Sequence, residues 1–289
     1  MNKIGLVMEG GAMRGLFSAG VIDVLMENGI RFDGMIGVSA GAAFGCNYKS
    51  NQPGRVIRYN LRYCRDPRYC SIRSLFKTGD LFGADFCYHE LPDRLDIFDA
   101  DTFEKSPMEF YVVCTDVQTG KPVYRKCDTA SYNDLEWMRA SASMPLASKA
   151  VEVDGYKLLD GGIADSIPLR YFETIGYVNN VVILTQPRDY FKTKNKLMPV
   201  MKIALKKYPA VIKSAAERHK AYNSTKKYIF DAEKQGRAFI MCPDAKLPIG
   251  RIEHNPEKLR NVYNLGRRCA ERKLESLKRF LEDKRSVKI

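Results

Sequence analysis

The chain opens on an unbroken apolar run, Ile4-Gly5-Leu6-Val7-Met8, which reads as a strand buried on both faces. A glycine-rich turn, Glu9-Gly10-Gly11-Ala12-Met13-Arg14-Gly15, follows at once. Leu16, Phe17, Val21, Val24 and Leu25 then recur at helical spacing, and Asn28-Gly29 supplies a C-terminal stop. Residues 32–38 give a second apolar strand, and Ala43, Phe44 and Cys46 mark the helix after it. Further along, 110–116 reads as a strand that turns through Thr119-Gly120-Lys121-Pro122 into 123–125. A helix over 133–142 carries the single tryptophan, Trp137, and ends in the small-residue stretch Ser141-Ala142-Ser143-Met144-Pro145. Residues 151–159 form a hairpin with Asp154-Gly155 at its turn, and 181–185 is another core strand. Residues 79–108, less regular, are expected to cap the sheet. Alternating strands and helices of this kind predict an α/β fold around a mainly parallel sheet.

After Pro187 the pattern changes. Leu197, Met198, Val200, Met201, Ile203, Leu205 and Tyr208 are interleaved with Lys192, Lys194, Lys196, Lys202, Lys206 and Lys207. Such a segment packs its apolar face on the sheet or lies on a membrane surface, and packing is the commoner arrangement. Residues 238–242 read as a further strand. Asn255-Pro256-Glu257 begins a long helix whose Leu259, Val262, Tyr263, Gly266, Ala270, Leu274, Leu277 and Leu281 hold one face. The division expected is a catalytic domain over 1–187 and a basic, mainly helical extension over 188–289 that packs on it and adds a strand.

Charge sharpens that division. The chain of 289 residues carries a net +13, with 27 basic and 11 acidic side chains in 188–289 against 20 and 23 before them. A second basic section lies earlier: Arg55, Arg58, Arg62 and Arg65 fall on one helical face, with Tyr59, Tyr63, Tyr69 and Phe76 interleaved. This is a solvent face with tyrosines packed inward, or a rim facing lipid headgroups at the mouth of a site. Nucleic acid is a weaker fit because no recognised binding motif accompanies the charge. The eight cysteines include no Cys-x-x-Cys pair and none at metal-ligand spacing beside a histidine, so free thiols and no metal are expected. The N-terminal apolar run is cut short by Glu9 and no stretch is long enough to span a bilayer; the expected location is the cytoplasm, with contact at an anionic membrane surface.

The candidate chemistry sits at Ile36-Gly37-Val38-Ser39-Ala40-Gly41. A serine at the tip of a sharp strand-to-helix turn is held in strained backbone angles, with glycines leaving the room the turn needs. The glycine spacing of the loop at 10–15 differs from a dinucleotide fingerprint and suits an oxyanion hole better. Serine needs a base, and the histidines are three: His89, His219 and His254. His219 and His254 lie in charged surroundings and read as surface residues, although a Ser-Asp-His order is open to either. Asp160-Gly161-Gly162, delivered by the second hairpin, is the other candidate.

Gly-Gly-x-x-Arg-Gly at 10–15, Gly-x-Ser-x-Gly at 37–41 and Asp-Gly-Gly at 160–162, in that order, resemble the patatin-like phospholipase family of lipid acyl hydrolases. Thr115-Asp116, Thr119-Gly120 and 141–145 resemble its intervening segments, so the likeness spans about residues 4–187. It implies a three-layer α/β/α sandwich and a metal-independent, cofactor-free serine hydrolase of phospholipid or lysophospholipid esters. Ser39 is then the nucleophile and Asp160 the base, with an oxyanion hole around Gly10, Gly11, Ala12 and Met13. Arg14, Gly15, Gly37, Gly41, Gly161 and Gly162 support the motifs. Glu9 and Ala12 depart from the family pattern, Ala12 where many members carry a third glycine. A module that keeps the fold without turnover, binding lipid or an anionic partner, is the alternative.

Overall fold

The computed structural model describes residues 3–286. In chain order it comprises β1 (Ile4–Met8), α1 (Gly15–Glu27), β2 (Gly34–Val38), α2 (Ala40–Lys49), α3 (Arg55–Tyr63), α4 (Ile72–Thr78), α5 (Ala100–Lys105) and β3 (Glu109–Asp116). Then follow β4 (Pro122–Lys126), α6 (Tyr132–Ala142), β5 (Val151–Val153), β6 (Tyr156–Asp160), α7 (Leu169–Thr174) and β7 (Asn179–Ile183). The chain ends in α8 (Met198–Ala204), α9 (Pro209–Lys234), β8 (Ala238–Met241) and α10 (Pro256–Ser286).

One sheet runs in the order β5-β6-β3-β2-β1-β7-β8, with β4 also paired to β3. The pairs from β3 through β2, β1 and β7 to β8 are parallel; β4 and β6 run antiparallel to β3. Period-two alternation in the central strands divides the core into two layers. Leu6, Met8, Met35, Phe110, Val112, Val181 and Ile183 face α1, α2, α6 and α10. Val7, Ile36, Val38, Val113 and Val182 face Phe172 of α7 and Tyr222, Ile229 and Ala232 of α9. With both faces covered, the strands can be apolar throughout, as their burial shows. This is the three-layer α/β/α sandwich around a mainly parallel sheet.

The register at β3 brings the site together. β2 pairs with β3 only as far as Val38 opposite Val113, while β4 occupies the other edge from Tyr111 to Thr115. Beyond Val113 the β2 edge is vacant, and β6 takes it antiparallel, ending with Asp160 opposite Cys114. The C-terminal ends of β2 and β6 therefore meet head to head along one edge of β3. The residue after Val38 is Ser39.

Residues 188–286 interleave with what precedes them. β8 extends the sheet beside β7, and α10 lies along α1, where an ideal Cβ on Gly266 would come within 1.9 Å of the Phe17 carbonyl oxygen. The 26-residue helix α9 covers the second face of the sheet, a helix the apolar pattern did not reveal. In and around α8, Met201 and Leu205 are buried and, with Met198 and Tyr208, pack against Val117, Leu159 and Ile163, while Leu197, Val200 and Ile203 stand at 52%, 52% and 76% exposure, so the segment packs one side and shows the other to solvent. In the earlier basic section the tyrosines pack inward, but Arg55 is neither solvent face nor rim. It is buried, and its guanidinium donates to the Asp96 carbonyl and to Asn47. Arg58 grips the Asp96 carboxylate through two hydrogen bonds of 2.8 and 2.7 Å. The arginines thus tie α3 to the segment over 79–108, which includes a π-helical stretch, Phe86–Leu95. Arg65 falls beyond the end of α3. No described helix is long and apolar enough to cross a membrane.

Candidate active site

Ser39 has φ 56° and ψ −123°, a region side-chain-bearing residues rarely adopt, and the turn exists because its neighbours permit it. A Cβ on Gly37 would lie 2.4 Å from the Gly41 carbonyl oxygen, and one on Gly41 would lie 2.5 Å from that of Met8. Any side chain at either position would push α2 off the end of the sheet. A third residue, Ser141, pins the strained turn. Its buried hydroxyl accepts the Ser39 N–H at 2.9 Å and donates to the Val113 carbonyl at 2.6 Å. The neighbouring Ser143 carbonyl accepts the Asp160 N–H at 2.8 Å, so the end of α6 holds both strand ends. The small residues at 141–145 pointed to a close approach; the hydrogen bonds they make there were not legible in the composition of the stretch.

Asp160 is 7% exposed and sits at the start of a single 3-10 turn, where its Oδ1 accepts the Gly162 N–H at 2.7 Å. Thr115 Oγ1 donates to the Asp160 carbonyl. Ser39 Oγ makes no hydrogen bond to the Asp160 carboxylate within 3.5 Å, but the hydroxyl is near enough to favour the charged form. Burial pushes the Asp160 carboxyl up from its ordinary value; the Ser39 hydroxyl, the Arg218 guanidinium, the Gly162 amide and Arg251 pull it back. A buried carboxylate raised in this way is a better base than one in water. Gly161 abuts the Val113 carbonyl, where no Cβ would fit, and Gly162 separates Asp160 from Arg218.

The loop at 10–15 lies against both. A Cβ on Gly10 would come within 2.9 Å of the Ser39 Cβ. Among the described residues the amides of Gly10, Gly11 and Ala12 donate to no protein acceptor, whereas Met13 donates to the Arg251 carbonyl at 3.4 Å. Ala40, the first residue of α2, also has a free amide, as a helix start must. Ala12 has φ 48°, which accounts for the preference for glycine at this point and assigns its methyl a backbone strain of about 1 kcal/mol. Glu9 is buried: Tyr222 Oη donates to one carboxylate oxygen at 2.7 Å and the Thr185 amide to the other at 2.6 Å. It joins the ends of β1 and β7 to α9. Gly15 packs on Ala40, and the Arg14 Nε is buried without a partner.

Two cavities open on Ser39. One is apolar, walled by Ala43, Phe44, Tyr88, Leu91, Leu135 and Met138, with the segment over 79–108 as its outer side. The other is polar and contains Glu9, Asp160, Arg14, Lys192, Arg218 and Arg251. Ser39, Ala12 and Met144 belong to both. His219 lines the polar cavity with its Nδ1 2.9 Å from the Ala216 carbonyl of its own helix. His254 faces the Cys64 carbonyl, and His89 pairs with Glu136 and stacks on Tyr132. No group of three or more His, Cys, Asp or Glu side chains that could hold a metal occurs among the described residues, and the cysteines are free and mostly buried.

The family model described as patatin-like phospholipase matches residues 6–173, and one described as a domain of unknown function, DUF6363, matches residues 208–282. The uncharacterized protein YjjU of Escherichia coli (strain K12) is 27% identical over 290 residues, covering 98% of this chain and 80% of that protein. Lysophospholipase nte1 of Aspergillus terreus is 27% identical over 188 residues, which are 61% of this chain and 11% of that one. The chain thus spans about a tenth of such lysophospholipases. In the crystal structure of VipD from Legionella pneumophila, the match covers 96% of this chain and 67% of that one at 13% identity and a TM-score of 0.48. The chain belongs to the patatin-like phospholipase family.

Proposed function

We propose that this chain is a serine acyl hydrolase that cleaves fatty-acyl esters of phospholipids or lysophospholipids through Ser39 and Asp160. The observation that carries the reading is a strained serine at the junction of an apolar and a cationic cavity, with the buried Asp160 carboxylate lining the same cationic cavity. Ser39 Oγ attacks the ester carbonyl carbon while its proton passes to Asp160. The carbonyl oxygen becomes an oxyanion, stabilised by the free amides of Gly10, Gly11 and Ala12. Collapse of the intermediate breaks the bond to the alcohol, which leaves with the proton from Asp160. Water then attacks the acyl-enzyme, Asp160 accepts its proton, and Ser39 regains one as the fatty acid departs.

The acyl chain fits the apolar cavity and the rest of the lipid the cationic one. Residues 1–187 carry the chemistry in this reading, and 188–289 supply most of the cationic wall. Phe191, Leu197, Val200 and Ile203 are exposed among Lys192, Lys194, Lys196 and Lys202 beside that wall, which suits peripheral contact with an anionic membrane. The test is hydrolysis of a panel of palmitoyl phospholipids and lysophospholipids, with the products identified by mass spectrometry. The wild type should release fatty acid, and Ser39→Ala and Asp160→Asn should not. Failure to release acid from any of them would favour the binding module.

A further inference from the structure

Outside the three motifs that resemble the family, the site contains a set of cations that make no ion pair. Arg218 stands on α9, Arg251 in the loop before α10, and Lys192 in the segment after β7. None makes an ion pair within 4 Å among the described residues. Arg218 is half-buried, and its Nε and Nη2 share one weak acceptor, Ser166 Oγ, at 3.3 and 3.2 Å. Its other donors have no protein acceptor among the described residues, and the side chain lines the polar cavity. Lys192 is held from behind: its amide and carbonyl are clamped by the Asn223 side chain, and its ammonium lies 4.6 Å from the Tyr222 ring centre. Burial and the neighbouring Arg218 push the Lys192 ammonium down to about 8, although Glu9 opposes the shift. Glu9 and Asp160 are the carboxylates lining the cavity, and they are outnumbered by Arg14, Lys192, Arg218 and Arg251.

Gathering like charges in a partly desolvated pocket is unfavourable unless an anion completes it. Arg218 also sits next to the chemistry, since a Cβ on Gly162 would lie 3.0 Å from its Nη2 and 2.9 Å from Asp160 Oδ1. We propose that Arg218, Arg251 and Lys192 form a subsite for the phosphate of a lipid headgroup, placing the ester a few bonds away on Ser39. The proposal rests on the acyl-hydrolase reading and specifies its substrate as an ester whose alcohol carries a phosphate. It also gives the 208–282 region, which supplies two of the three cations, a part in substrate choice. A guanidinium can hold such an oxyanion through two parallel hydrogen bonds, which a lysine cannot.

The test compares kcat/KM for 1-palmitoylglycerol 3-phosphate and for 1-palmitoylglycerol, both in the same neutral detergent micelles. Arg218 also acts on Asp160, so its loss changes both reactions, and the ratio of the two isolates the subsite. In Arg218→Gln the preference for the phosphorylated ester should fall about tenfold or more, with partial return in Arg218→Lys, and Arg251→Gln should lower it too. An unchanged ratio in Arg218→Gln would overturn the proposal. A binding arm needs no turnover: Ser39→Ala protein should bind 1-palmitoylglycerol 3-phosphate in calorimetry, and the further change Arg218→Gln should remove that binding. Inorganic phosphate bound as tightly as the lipid would mean a free-anion site, and no binding of either would mean none; both contradict the proposal. If neither ester is cleaved but the lipid phosphate still binds through Arg218, the hydrolase reading fails and the subsite stands.

Discussion

Ser141 offers a way to measure what holds the strained turn at Ser39. Its hydroxyl is the sole acceptor of the Ser39 amide and a donor to the Val113 carbonyl, at a position with no solvent exposure. Ser141→Ala leaves an amide orphaned and a carbonyl under-satisfied in the core. At about 1–3 kcal/mol for each buried group left without a partner, the loss should be roughly 2–4 kcal/mol. Against a total of about 5–15 kcal/mol that is a large fraction, and urea unfolding would show it as a lower midpoint with an unchanged slope. Ser143→Ala is the control, because the Ser143 hydroxyl bonds only to the Arg139 carbonyl of its own helix, and its removal should cost under about 1 kcal/mol. Function should suffer beyond stability. Released from Ser141, the Ser39 backbone can relax out of its strained angles, and a shift of about 1 Å in the hydroxyl is enough to lower kcat about a hundredfold at temperatures where the variant stays folded. A Ser141→Ala protein within about 0.5 kcal/mol of wild type and equally active would refute this account of the turn.

Two further predictions follow from buried carboxylates. As the base of the proposed mechanism Asp160 has to be ionised, and burial raises it above its ordinary value, so kcat/KM on a neutral ester should rise with pH through an inflection higher than an exposed aspartate would give. Arg218→Gln removes a cation that stabilises the charged form and should move that inflection to still higher pH; a profile unaffected by the change would count against the link. Asp23 on α1 accepts hydrogen bonds from Tyr263 Oη and the Gly54 amide, but burial lifts it from 3.8 to about 6. The folded state therefore holds this proton more tightly than the unfolded chain, and the group's contribution is most favourable below about pH 4 and lost as pH rises to about 6. The loss amounts to about 3 kcal/mol at 1.36 kcal/mol per pH unit. Asp23→Asn should gain stability relative to wild type between pH 4 and 7 in urea titrations; a constant difference across that range would contradict the sign.

The parts of this molecule that local pattern could reveal are those where one stretch of chain suffices. β1 and β2 are read from apolar runs, the 151–160 hairpin from its Asp154-Gly155 turn, and α10 from a clean periodicity beginning at Pro256. What escaped depends on partners far along the chain. Arg55 looks like a surface residue by type, and only Asp96, brought over by the segment that caps α3, makes its burial tolerable. α9 buries Val211, Ala215, Tyr222, Ile229 and Ala232 on one face, but small, polar and charged residues such as Lys226 interrupt that face in the sequence, so Arg218 could not be placed near Asp160. The meeting of β2 and β6 on one edge of β3 is a matter of register, which a one-dimensional reading does not contain. The motifs named Ser39 and Asp160; their company was added by the fold.

The central claim is that a carboxylate and not an imidazole activates Ser39. Reaction with a fluorophosphonate, followed by mass-spectrometric location of the adduct, tests it most directly. The account predicts an adduct on Ser39 in the wild type, labelling slowed about a hundredfold or more in Asp160→Asn, and persistent labelling when His89, His219 and His254 are all replaced. Labelling of Asp160→Asn at the wild-type rate, with loss of reaction on replacing His219, would contradict it.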